Sequence, residues 1–240
     1  WGDTRNEQLM SAFIRRKDAV IHLAAPSSFL MHEENDFEAC EFTLMGFKMV
    51  MELAKRAGIR TVVWASTSAV YEGNPVPYHE GMALHPPDSK AGCKKFCEEE
   101  AQRYSDRYGI RSIALRPFSV YGVGEHTKRG YANVISLFAW ALMRGKTAVV
   151  WGDGSQTRDY IFVQDAARGF ILALDALQRG GVETQTINLG TGVETTFNDV
   201  IAMVGAELGI EPVTLYVPVP IKIYAERLLA YMTRAHEVLG

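Results

Sequence analysis

Apolar runs alternate along this chain with stretches of helical periodicity, and that alternation restricts the fold more than any other feature. It is the pattern of a parallel sheet covered by helices on both faces, an α/β fold. Residues 18–25 read as a buried strand. Residues 37–57 have helical periodicity and stop at Gly58, a suitable C-cap. Thr61–Ala65 is the next strand, followed by a polar turn and a Pro-rich loop through Pro87. Ser89–Tyr108 reads as a charged amphipathic helix ending near Gly109, and residues 111–116 as another strand. After Pro117 the alternation loosens, as in a smaller lobe built on loops. Residues 186–190 return to the main sheet, 198–208 are helical, and 227–239 form the last helix.

Length and charge narrow the function classes. At 240 residues the chain is one large domain or a domain plus a lobe, and 48% apolar residues mark it as globular. A net charge of −3 argues against nucleic acid or an anionic membrane as the main partner. The longest apolar run, residues 135–143, is too short to span a bilayer, and no signal peptide is visible. Three cysteines make no disulfide framework, which places the protein in a reducing cytoplasm. Cys93 and Cys97 lie one helical turn apart, but no His or acid completes a ligand set, so no metal is expected.

Residues 152–165 (Gly-Asp-Gly-Ser-Gln-Thr-Arg-Asp-Tyr-Ile-Phe-Val-Gln-Asp) carry the most local information. A Gly-Asp-Gly turn delivers Arg158 at the mouth of a short apolar strand, a placement suited to bidentate binding of a phosphate or diphosphate. Pairing of Arg158 with Asp159 or Asp153 is the plain structural alternative. Asp165 reads as the N-cap of a helix over 166–177.

In this context the order of motifs from Gly2 to Gly240 resembles the extended short-chain dehydrogenase/reductases, the NAD-dependent epimerase/dehydratase group. Gly2-Asp3 resembles the family's strand-end acid, which bonds the adenine amino group. His22-Leu23-Ala24-Ala25 resembles the strand tip over which the cofactor lies. Ala65-Ser66-Thr67-Ser68-Ala69-Val70-Tyr71 looks like the Ser/Thr turn before Val-Tyr-Gly, with Glu72 replacing the usual glycine. Leu115-Arg116-Pro117-Phe118-Ser119-Val120-Tyr121-Gly122 is similar to the segment joining nicotinamide and sugar pockets, with Ser119 for the usual Asn. Tyr131-Ala132-Asn133-Val134-Ile135 matches the helix whose start contacts the nucleotide, and residues 188–192 (Asn-Leu-Gly-Thr-Gly) the expected structural turn.

The resemblance implies a Rossmann-like doubly wound parallel sheet lacking its N-terminal strands, with a small C-terminal substrate lobe. Residues 1–118 would be the remainder of the dinucleotide-binding domain. Residues 119–240 would be mainly the substrate lobe, with 159–208 partly returning to the sheet. No Gly-x-Gly-x-x-Gly occurs in the chain, so the pyrophosphate-seating loop is expected upstream. The implied cofactor is NAD, with NADP as the alternative, contacted by Asp3, Thr4, Leu23, Ala24, Ala25, Thr43, Ala65, Ser66, Lys94 and Pro117. A nucleotide sugar would be held by Ser119, Asn133, Val134, Trp151, Arg158 and Arg227, the last equally readable as a solvated helix charge. Homodimerisation through helices 37–57 and Ser89–Tyr108 is a further implication.

Catalysis in that family rests on Tyr-x-x-x-Lys. Lys94 aligns with the lysine, and Lys90 then stands at the tyrosine position; sliding to Lys95 puts Ala91 there instead. Tyr78, on the upstream loop, is the one phenol considered as a substitute. The implied catalytic set is Thr67, Lys90 and Lys94, with Ser66 or Ser68 in place of Thr67 if the register shifts by one. Two ammonium groups at i and i+4 repel, which should lower at least one pKa. A neutral Lys90 could take over proton transfer. Otherwise it turns to solvent or pairs with Asp88 or phosphate, and hydride chemistry is lost. The expected function is a nucleotide-sugar epimerase or dehydratase working through a transient keto-sugar. The alternatives are an inactive nucleotide-sugar or dinucleotide-binding relative, or a reductase of another small carbonyl substrate.

Overall fold

The computed structural model describes residues 2–221 and 224–240, with only the backbone of Phe29. In chain order the helices and strands are α1 Glu7–Ile14, β1 Val20–His22, α2 Phe29–Glu34, α3 Asp36–Ala57, β2 Thr61–Ala65, α4 Ser89–Tyr108, β3 Arg111–Pro117 and β4 Ser119–Tyr121. There follow α5 Val134–Met143, β5 Ala148–Trp151, β6 Thr157–Phe162, α6 Val163–Arg179, β7 Gln185–Leu189, β8 Glu194–Thr196, α7 Phe197–Leu208, β9 Thr214–Val217 and α8 Thr233–Leu239. Single turns of 3-10 helix cover Ser68–Tyr71 and Glu125–Tyr131.

The main sheet is parallel, in the order β1-β2-β3-β7. Strand alternation sorts its side chains onto two faces. Val62 and Trp64 enter one core with Phe47, Met51, Cys97, Ala101 and Tyr104 of α3 and α4. Val63, Ile113, Leu115 and Ile187 enter the other, with Phe170, Ala173 and Leu177 of α6 and Leu239 of α8. The doubly wound α/β architecture read from the alternation is therefore the fold of this chain.

Local chemistry explains the long helices. Asn35 accepts from the Glu38 N–H at 3.3 Å and donates to the Glu38 carboxylate at 2.8 Å, a reciprocal cap at the start of α3. The other end has Lys55 and Arg56 in the last turn and Gly58 at φ 74°. Asp88 caps α4 through the Ala91 N–H at 2.7 Å, which fixes Lys90 in the first turn.

Beyond Pro117 the chain forms two smaller sheets, β4-β6-β8 and β5-β9, besides returning to the main sheet through β7. Phe138, Leu142, Ala148, Val150, Phe197, Val200 and Ile201 form the core of this region. Asp159 is fully buried and locks β6 to two distant segments. Its carboxylate accepts from Thr191 N (2.7 Å), Thr191 Oγ1 (2.8 Å), Gly192 N (2.9 Å) and Ala230 N (3.1 Å).

Three expectations need correction. The first strand is only Val20–His22, an edge strand that among the described residues pairs with β2 alone, from Val20 opposite Val62 to His22 opposite Trp64. After Gly2 and Asp3 the chain turns at Thr4-Arg5 into α1, capped by Asn6, and Trp1 lies outside the described residues. Helix α6 begins at Val163, so Asp165 sits within its first turn, where an acid suits the helix dipole, and is not its N-cap. The last helix starts at Thr233. Before it, residues 226–231 run alongside β6 and Tyr78, with Thr157 N bonded to Glu226 O, Leu228 N to Thr157 O and Tyr231 N to Tyr78 O.

Candidate functional site

A cavity of about 820 Å³ opens beyond the C-terminal ends of β1, β2 and β3. Leu23, Ala25, Ala65, Ser66, Pro117 and Lys94 line its sheet side. Trp151, Arg158, Tyr160, Phe197 and Tyr224 line the opposite side, and Thr67, Glu72, Asp88 and Lys90 lie on its wall as well. Ser119, Asn133 and Val134 complete the set of expected residues that reach this space.

Lys94 is 8% exposed, and its Nζ donates to the Ala65 carbonyl at 2.7 Å. Burial pulls its pKa down to about 8, opposed by Cys97 and assisted by the neighbouring Lys90. Lys90 is also lowered, chiefly by burial, while Asp88 and Glu72 support its charge. The two lysines thus face one cavity, as their spacing requires, and desolvation outweighs their mutual repulsion.

Thr67 is buried and caps the 3-10 turn, its Oγ1 accepting from Ala69 N at 3.2 Å. That bond leaves the hydroxyl proton free to be donated into the cavity. Ser66 instead donates to Glu98 at 2.6 Å. Glu98 holds Arg116 in a two-point pair (2.8 and 2.6 Å), Arg116 donates to Tyr71 Oη (2.6 Å), and Tyr71 donates to Asn188 Oδ1 (2.8 Å). Burial pushes the Tyr71 phenol up to about 12, against Arg116, so it stays protonated.

Arg158 is partnered by neither Asp159 nor Asp153. Asp159 is consumed by the bonds described above, and Asp153 accepts from Ser155 N and Oγ at 2.9 and 2.6 Å. Among the described residues the guanidinium forms no ion pair; it donates to Thr157 O at 2.7 Å and lies 5.2 Å over Phe197 and 5.4 Å over Tyr224. Burial pulls its pKa down, with Tyr224, Tyr160 and Glu72 opposing. A half-buried cation with no carboxylate bonded to it among the described residues, backed by aromatic faces, is a receptor for an anion.

The turn that aims Arg158 depends on Gly154. Its φ is +81°, and a Cβ there would fall 2.0 Å from Asn198 Oδ1. Asn198 is itself held by Asp153 O at 3.1 Å and Tyr216 Oη at 2.9 Å. Gly154→Ala is therefore expected to destabilise the protein by about 2–3 kcal/mol, from left-handed strain plus the displaced side chain. Gly92→Ala, in α4 with open space around it, is the control and should be neutral or slightly stabilising. Urea denaturation of both variants checks this, and equal midpoints would remove the steric argument.

Other expected residues lie elsewhere. Asp3 is held by the Arg5 guanidinium (3.1, 3.0 and 2.7 Å), whose hydrogen bond lowers its pKa. Thr43 Oγ1 donates to Ala39 O at 2.9 Å, Thr4 packs against Gly46, and Ala24 is exposed; none of the four lines the cavity. Arg227 precedes the last helix, 58% exposed, and pairs with Glu194 at 2.6 Å, away from the cavity wall. Tyr78 stacks on Tyr71 at 5.1 Å with its hydroxyl toward Arg227 O, so this phenol does not reach in. Asn133 lines the cavity, but its amide serves as the α5 cap (Ile135 N, 3.1 Å) and donates to Val120 O (3.2 Å). Cys93 and Cys97 are buried thiols, each pushed up to about 12 chiefly by burial. The metal-ligand atoms that do converge among the described residues are those of His32, Asp36 and Cys40, within 4.8 Å of one another.

Glu72, Tyr160, Phe197 and Tyr224 belong to the site without having been singled out as functional. Glu72 was visible only as a departure from glycine, and the aromatics carry no spacing signal.

A parallel sheet wrapped on both faces, with a cavity at its strand C-termini, defines a doubly wound ligand-binding protein. Residues 1–190 match the NAD dependent epimerase/dehydratase family, and the chain belongs to it. It is 31% identical over 227 residues to a UDP-glucose 4-epimerase of Mycolicibacterium smegmatis, covering 94% of this chain and 71% of that protein. It is 29% identical over 201 residues to a putative UDP-glucose 4-epimerase of Methanocaldococcus jannaschii, covering 83% of this chain and 64% of the relative. Among solved structures, UDP-N-acetylglucosamine 4-epimerase from Methanobrevibacter ruminantium in complex with UDP-N-acetylmuramic acid superposes with a TM-score of 0.91. It shares 26% identity, over all of this chain and 75% of that one. The chain thus spans about two thirds to three quarters of these relatives' length. No helix among the described residues is long and apolar enough to cross a membrane.

Proposed function

We propose that this chain carries the sugar-nucleotide half of a NAD-dependent UDP-sugar epimerase or dehydratase. The observation that carries the reading is Arg158, a half-buried guanidinium without an ion pair among the described residues, in the same cavity as Thr67, Lys90 and Lys94. Its chemistry fits a diphosphate, and the relatives named above act on or bind UDP-sugars. The small residues Ala25, Ala65 and Ser66 beside Lys94 fit close approach of a dinucleotide, and the UDP-glucose 4-epimerase of Thermus thermophilus, TM-score 0.87, was solved with NAD. When bound, NAD would accept a hydride from a sugar carbon and return it. Thr67 would donate its hydroxyl proton to the reacting oxygen, Lys94 would orient the cofactor ribose, and Arg158 would anchor the diphosphate. Lys90 stands where the family places its tyrosine, and with its ammonium disfavoured by burial it would exchange the sugar hydroxyl proton. Exposed Phe37, Met45 and Phe96 on α3 and α4 support a homodimer through those helices, and three free cysteines suit a reducing cytoplasm.

A second reading, a binder without turnover, is favoured by Lys90 itself, because it removes the family's phenol. One variant tests the diphosphate contact common to both readings, and a second separates them. Arg158→Ala should weaken UDP binding by roughly 10- to 100-fold, the loss of a charge-assisted contact; unchanged affinity overturns the diphosphate assignment. Turnover of UDP-glucose with NAD, compared between the natural protein and Lys90→Tyr, then tests Lys90. Activity in the natural protein supports catalysis by the amine, whereas activity only in Lys90→Tyr shows that the site binds without turning over.

A further inference from the structure

Glu72 is the group on the cavity wall that neither the fold nor the mechanism above employs. It follows the 3-10 turn Ser68–Tyr71 with an ordinary φ of −53°, so the backbone places no demand on this position. Among the described residues its carboxylate takes no hydrogen bond; it is attracted by Arg158 and Lys90 and repelled by Asp88. Arg158 comes from β6 at the diphosphate end, and Lys90 from the first turn of α4 at the proton-transfer end. A group within electrostatic reach of both flanks the space between them, which is where the sugar ring would lie.

We propose that Glu72 is a specificity determinant: its carboxylate accepts hydrogen bonds from the hydroxyls of a neutral hexose and turns away a hexuronic acid. The inference rests on the nucleotide-sugar reading above. A carboxylate is an acceptor only, and sugar hydroxyls are donors, so a neutral hexose satisfies it through charge-assisted bonds. A uronate brings a second acceptor and a like charge to the same wall, next to Asp88 as well.

The cations of the cavity do not cancel that repulsion. Lys90 is already balanced by Asp88 and Glu72. Arg158 faces the diphosphate, Lys94 is bonded to Ala65 O at 2.7 Å, and Lys128 lies 3.6 Å from Glu125. Burial, and after it Asp88, push the Glu72 carboxyl upward, and Arg158 and Lys90 work against that shift.

Calorimetric titration with UDP, UDP-glucose and UDP-glucuronate tests the assignment on the natural protein, Glu72→Gln and Glu72→Gly. UDP carries no hexose, should bind all three proteins alike, and reports that each is folded. The natural protein should prefer UDP-glucose to UDP-glucuronate by about tenfold or more, the size expected for one poorly screened like-charge contact. Both variants should reduce that preference to about threefold or less by gaining affinity for UDP-glucuronate. Equal affinities in the natural protein, or a preference unchanged in both variants, overturns the role of Glu72 while leaving UDP binding intact. Binding of neither UDP nor either sugar overturns the nucleotide-sugar reading itself.

Discussion

Arg116→Ala is expected to cost the protein about 3–5 kcal/mol, because it leaves the Glu98 carboxylate buried without its cation. The side chains of Arg116 and Glu98 are 3% and 8% exposed and meet at 2.6 Å. Burial works against the Arg116 charge, yet Glu98 bonding and charge hold its pKa above the ordinary arginine value. The same guanidinium donates to Tyr71, which donates to Asn188; the Asn188 amide in turn donates to Tyr78 O at 2.8 Å. One substitution therefore strips a partner from a network joining β3, α4, the 3-10 turn and β7. Ser66, on the cavity wall, loses the support of its acceptor at the same time. Replacing both partners with apolar residues, Arg116→Met with Glu98→Leu, should recover most of the loss, since no buried charge then remains. Urea midpoints for the single and double variants decide the matter. A single-variant loss below about 1 kcal/mol would mean that water or rearrangement satisfies Glu98.

The parts of this molecule that sequence made legible are those in which local chemistry and burial agree. Helix α4 lies over the residues its pattern marks, because Asp88 caps one end and Gly109, at φ 64°, closes the other. Strands β2 and β3 are central and buried on both faces, so residues 62–65 and 113–115 within them are continuous apolar runs. The errors sit where tertiary contacts overrule a local pattern. Residues 227–232 have helical composition, yet their backbone groups are claimed by Thr157, Tyr78 and Asp159, and the helix waits until Thr233. Residues 23–25 are apolar enough for a strand, but the pairing of β1 with β2 stops at His22 and Trp64.

The site was legible in the same uneven way. Arg158, Lys90, Lys94 and Thr67 were marked by motif spacing, and all four face one cavity. What spacing could not show was which polar groups are already engaged. Asn133 and Asp3 have the right residue types for ligand contact, but one spends its amide on a helix cap and the other its carboxylate on Arg5. Tyr224 and Phe197, which back Arg158, come from segments distant in sequence and meet it only through the packing of the smaller sheets.

Lys94→Met should abolish turnover and also flatten the dependence of stability on pH between about 7 and 10. The Lys94 pKa is about 8 in the folded chain against 10.5 for the free side chain, lowered first by burial. Below pH 8 both states carry the charge, and the folded state bears the whole cost of burying it. Between pH 8 and 10.5 the unfolded chain holds a proton that the folded chain has released, so stability rises with pH through this window. Above it both are neutral and the penalty is gone. At 1.36 kcal/mol per pKa unit the gain across the window is about 3 kcal/mol. The charged groups around Lys94 do not mimic it. The Cys93 and Cys97 thiols, raised from 9.0 to about 12, act with the opposite sign, lowering stability as pH rises past 9, and they are present in both proteins. Lys90, also lowered by burial, is present in both proteins and largely cancels in the comparison. Removing the amine leaves the Ala65 carbonyl without its donor, a cost of about 1–3 kcal/mol that offsets part of the relief near neutral pH. The natural protein should therefore be close to the variant in stability at pH 7 and pull ahead of it by pH 10. Denaturation midpoints measured side by side across that range give the answer, and parallel curves would place the Lys94 ammonium in water and not in the protein.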